Sequence, residues 1–79
     1  MLKLEDERRE LVEKIEEYFE GKQYPQSRDL LMPLEAADIA SLFDELNEDR
    51  LPLIFRLLPK ELAAEVFVEL DTDQQELLI

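Results

Sequence analysis

Apolar positions recur along most of the chain at helical spacing. Between residues 3 and 20, Leu4, Leu11, Val12, Ile15, Tyr18 and Phe19 fall on one stripe of a 3.6-residue helix. Glu5 with Arg9 and Glu10 with Lys14 are i,i+4 pairs in the favourable order. Gly21 is the candidate C-cap, with Lys22 beside it. The stripe also approximates a heptad through Leu4, Leu11 and Tyr18, but it spans too few heptads to specify a coiled coil. Tyr24-Pro25-Gln26-Ser27 reads as a break. A helical turn over 26–32 follows, places Leu30 and Leu31 inward and stops before Pro33.

From residue 35 the pattern predicts four more helices, near 35–46, 49–58, 59–70 and 72–79. The first buries Ile39, Leu42, Phe43 and Leu46. Asn47 is the N-cap of the second, whose apolar face is Leu53, Ile54, Leu57 and Leu58. Pro52 lacks the N–H that a helix interior requires, so that helix starts late, irregularly or with a kink. Pro59 sits where N1 of the third belongs. Asp71 or Thr72 caps the last, with Gln74 or Gln75 at the capping-box position. No strand signal competes.

The helices repeat. Ile39-Ala40-Ser41-Leu42-Phe43-Asp44-Glu45-Leu46 returns about 24 residues later as Ala63-Ala64-Glu65-Val66-Phe67-Val68-Glu69-Leu70. This period predicts an all-α fold of short stacked helices, an alpha solenoid of the armadillo or HEAT kind. The expected organisation is an amphipathic helix and break over 1–29, then a helical-repeat domain over 30–79 cut short in its third unit. A homo-oligomer is expected, in contact through the uncovered end with Leu77, Leu78 and Ile79 or through the first helix.

Composition narrows the chemistry. The 79 residues contain no Cys and no His, which removes Cys/His zinc sites, thiol nucleophiles and imidazole bases. The few hydroxyls have no imidazole to activate them, and the carboxylates read mostly as solvated helix faces, so no enzyme is expected. Twenty-one acids against nine bases give a net charge of −12. Such a field disfavours nucleic acid and anionic membrane surfaces, and attracts cations and basic protein surfaces. The apolar runs are too short for a membrane span or a signal-peptide core, so no direct membrane insertion is expected. Carboxylates that could reach a hard cation are Asp38, Asp44, Glu45, Glu61, Glu65, Glu69, Asp71 and Asp73. No EF-hand spacing is present, so any such site is open and weak. A plain solvated acidic face accounts for the same residues.

Two stretches carry a family resemblance. They are Ala37-Asp38-Ile39-Ala40 with Phe43-Asp44-Glu45-Leu46, and Phe55-Arg56-Leu57-Leu58-Pro59-Lys60-Glu61-Leu62-Ala63-Ala64-Glu65-Val66-Phe67 with Glu69-Leu70-Asp71. Together, over roughly residues 30–79, they resemble the cytosolic N-terminal domain of MgtE-type magnesium transporters. The resemblance implies a right-handed superhelix of short helices at the cytoplasmic face of a membrane protein. It also implies a regulatory role toward partners in the same chain, paired CBS domains and a transmembrane pore. Magnesium would bridge acidic surfaces of the two cytosolic parts and favour the closed pore. One family ligand position matches Glu65, with Glu61 and Glu69 as its neighbours on the helix. The chain departs from the family pattern at Ala36, often Pro, and at Pro52, usually not Pro. The middle domain of the flagellar protein FliG, a protein–protein adaptor without ion chemistry, has a similar repeat and is the alternative, as is a HEAT-like scaffold.

Overall fold

A computed structural model describes residues 4–79, and side chains from Asp6 onward. The described residues form six α-helices and one 3-10 turn, with no strand among them. They are α1 (Leu4–Glu20), α2 (Tyr24–Leu31), α3 (Ala36–Phe43), the 3-10 turn Glu48–Arg50, α4 (Leu51–Leu57), α5 (Lys60–Glu69) and α6 (Thr72–Leu78). The expected start of the first helix at residue 3, and the side chains of Leu4 and Glu5, lie outside the described residues.

α1 ends in a Schellman motif. The Gln23 N–H donates to the Tyr18 carbonyl at 2.7 Å and the Lys22 N–H to that of Phe19 at 3.1 Å. Gly21 occupies the C-cap, but the left-handed residue is Lys22, with φ 56°. The expected break at 24–27 is displaced upstream. Tyr24 and Pro25 already lie in the first turn of α2, where the proline's missing N–H costs nothing.

α3 is shorter than the expected 35–46. After Phe43 the chain tightens, and the amides of Glu45 and Leu46 both donate to the Leu42 carbonyl, at 2.9 and 3.1 Å. This tight turn still carries Leu46 inward. Pro52 acts as the sequence requires. The Asn47 side chain accepts the Asp49 N–H at 3.0 Å, the 3-10 turn follows, and α4 opens with the proline in its first turn. Pro59 is the N-cap of α5 rather than its first residue. Asp71 and Gln74 form the full capping box of α6.

The core runs through every helix except α6, whose Leu78 packs on it half-buried. Ile15, Phe19, Leu31, Ile39, Leu42, Phe43, Leu46, Leu51, Ile54, Leu58, Val66 and Leu70 are buried in one cluster. Residues on both sides of the expected 29/30 division share this cluster, and the division itself falls inside α2. α4 turns differently from the expectation. Leu51 and Ile54 are buried, Leu57 is half-buried, and Leu53 is exposed. Packing follows two rows: α2, α4 and α6 in sequence, and α3 against α5. The α1–α2 hairpin joins the first row.

Candidate functional site

α5 presents the candidate site. Its inward face is set by Val66 and Leu70, both buried, with Leu62, Ala63 and Phe67 half-buried beside them. Phe67 meets Phe55 of α4 at 6.1 Å between ring centroids. This places Glu61, Ala64, Glu65 and Val68 on the opposite, outer stripe, and all four are exposed. Val68, at the C-terminal end of this stripe, is an apolar side chain 73% exposed.

Among the described residues, none of Glu61, Glu65 and Glu69 has an ion-pair partner. Glu61–Glu65 and Glu65–Glu69 are like-charged i,i+4 pairs, each destabilising by about 0.2–0.5 kcal/mol. Glu61 is offset by its place in the first turn, where the helix dipole favours a negative charge. Glu69 is not, because it ends the helix and no basic residue lies in the last turn.

Glu69 also points somewhere different. With Asp44, Asp71, Ser41, Ala37, Ala40 and Gln74 it lines an open groove of about 270 Å³ between α3, α5 and the start of α6. The C-terminal ends of α3 and α5, the negative ends of their dipoles, sit at this groove with three carboxylates. Several of the other expected carboxylates are engaged. Asp44 accepts from the Gln74 amide at 2.8 Å, Glu45 ion-pairs with Arg8 at 3.5 Å, and Asp71 caps α6. Asp38 lies on a separate groove with Glu7, Arg8, Leu11 and Leu34.

The three sequence-predicted residues are therefore brought to one helix but not to one point. Among the described residues no group of three or more carboxylates converges to hold an ion. The Asp44–Glu69–Asp71 groove escaped the sequence reading. Asp44 lies 25 or more residues before Glu69 and Asp71, and only the packing of α3 on α5 brings it to them.

No helix of the described residues is long and apolar enough to cross a membrane. Neither the curated proteins nor the solved structures include a match to this chain. Residues 34–79, more than half of the chain, match the family model of the MgtE intracellular N domain. The matched segment runs from Leu34 through α3, α4, α5 and α6, and so contains the whole acidic stripe and the groove beside it. This chain belongs to the MgtE intracellular N-domain family.

Proposed function

We propose that this chain is the cytosolic regulatory part of a magnesium transporter, and that its α5 face is half of a magnesium-dependent interface. The observation that carries the reading is the exposed pair Glu61 and Glu65 on the family-matching segment, without an ion-pair partner among the described residues. Hard oxygen donors of this kind suit magnesium, which keeps several waters and takes only one or two carboxylates from any one surface. A second acidic surface, that of CBS domains in the same transporter chain, would complete each site. Without the ion the two surfaces repel; with it they close, and closure disfavours the open pore. Glu65 is the central ligand in this scheme, with Glu61 and Glu69 beside it. The chain acts by binding, not by catalysis.

The same reading treats the two rows of helices as the start of a right-handed superhelix. The exposed Leu53 and Leu77 make the α4–α6 face a surface for self-association, visible by light scattering as a mass that grows with concentration. A FliG-like adaptor would need no ion and gives the acidic stripe no role.

The test is Glu65→Gln in the full transporter. Magnesium-dependent closure, read by transport and by protease protection, should shift to higher magnesium with the fold intact. Unchanged midpoints in both assays would reduce Glu65 to surface charge. On the chain alone, magnesium should bind no tighter than about millimolar, since no closed oxygen cage is present among the described residues.

A further inference from the structure

α1 lies ahead of the family-matching segment, and it packs backbone to backbone chiefly on α2. Beyond that hairpin, side chains make its attachment. Ile15 and Phe19 enter the core. Arg50, at the entrance to α4, ion-pairs through Nε with Glu16 and through its terminal nitrogen with Glu20 at 3.7 Å. Its guanidinium lies 5.7 Å from the centre of the Phe19 ring. Among the described residues, Glu16 Oε1 is buried with no partner other than this guanidinium, and Oε2 accepts the Asn47 N–H at 3.3 Å. Nearer the start of the helix, Arg8 meets Glu45. These tethers are charged and partly open to solvent, so salt weakens them. At the other end, α1 joins α2 through Gly21–Gln23, where Lys22 holds a left-handed conformation that costs a non-glycine residue free energy.

We propose that α1 is a hinged strap, pivoting at Gly21–Gln23 and latched over the helical stack by Arg50. The latch ties α1 to the turn that Pro52 forces at the start of α4, so the strap reports on the family-matching segment from outside it. Opening uncovers the faces against which Ile15 and Phe19 pack while α3 and α5, which hold each other, stay folded. The strap is a low-stability unit whose population is set by ionic strength.

Native-state amide hydrogen exchange on the whole chain tests this. The α1 amides from Val12 to Phe19 should exchange about tenfold or more faster than those of Ile39 and Val66. Raising sodium chloride from about 20 mM to about 500 mM should speed the α1 amides roughly threefold and leave α5 unchanged. Arg50→Met should speed α1 at low salt and remove most of the salt response, leaving the part carried by Arg8 and Glu45; Arg50→Lys should restore part of it. Glu20→Gln, which touches only the outermost contact, should fold normally and move α1 exchange in the same direction by a smaller factor. The proposal is overturned if α1 and α5 exchange at one rate at every salt concentration. It is equally overturned if Arg50→Met keeps the full salt response, or lowers the protection of α5 as much as that of α1.

Discussion

Replacing Lys22 by glycine should stabilise the protein. Lys22 holds φ 56° because both hydrogen bonds of the Schellman motif that ends α1 require a left-handed residue there. A non-glycine L-residue in that region costs about 1–2 kcal/mol. Glycine removes this cost but gives the unfolded chain more freedom, worth roughly 0.5–1 kcal/mol against it. The net expectation is a gain of about 0.5–1 kcal/mol. At about 2.1 cal/mol/K per residue, 79 residues unfold with an entropy near 0.17 kcal/mol/K, so the melting temperature should rise by about 3 to 6 °C. Lys22→Asn separates the backbone effect from the lost charge. It removes the same charge, tolerates the left-handed region, and should give a smaller gain. Lys22→Val should lose stability, because a branched Cβ resists this conformation. Thermal unfolding by circular dichroism with a urea series decides the matter. A neutral or destabilising glycine, with valine no worse than lysine, would refute the backbone argument.

Ser27 is fully buried and its hydroxyl has no partner among the described residues, so Ser27→Ala should be neutral or stabilising by up to about 1 kcal/mol in urea unfolding. Asp71→Ala removes the capping box and should cost about 0.5–2 kcal/mol, with the amides at the start of α6 losing exchange protection first. Ile39→Ala empties a fully buried site on the helix that packs against α5 and should cost about 2–5 kcal/mol, much of this small domain's stability.

The helices were legible because apolar spacing and capping chemistry agree along most of the chain. Asn47, Asp71 with Gln74, and the inward set Ile39, Leu42, Phe43 and Leu46 were all readable in that way. The structure departs from the simple apolar pattern at its prolines. Pro25 looked like a break but opens α2, since a proline in the first turn forfeits no helical bond. Pro52 was expected to disturb its helix, which it does, but the resulting turn rotates α4. Leu51 is buried and Leu53 left outside, and no periodicity that ignores the turn could give that phase. On α5 the outward placement of Glu61 and Glu65 followed from Val66 facing in. The turning of Glu69 toward Asp44 and Asp71 did not, because it depends on the packing of α3 against α5. The Arg50 ion pairs were equally hidden, joining residues 30 or more positions apart.

Gln74 carries two bonds of opposite polarity on one amide group. Its oxygen accepts the Asp71 N–H at 3.2 Å, and its nitrogen donates to Asp44 at 2.8 Å. A capping box accepts glutamate as readily as glutamine, so local helix chemistry alone would tolerate either. The tie to Asp44 would not: a carboxylate has no proton to give and meets another carboxylate there. Conversion of this amide to an acid, by codon change or by slow hydrolytic deamidation, therefore leaves α6 capped but unties it from α3. The position is thus chemically perishable. Protein ageing at this single side chain would loosen the end of the helical stack without unfolding a helix.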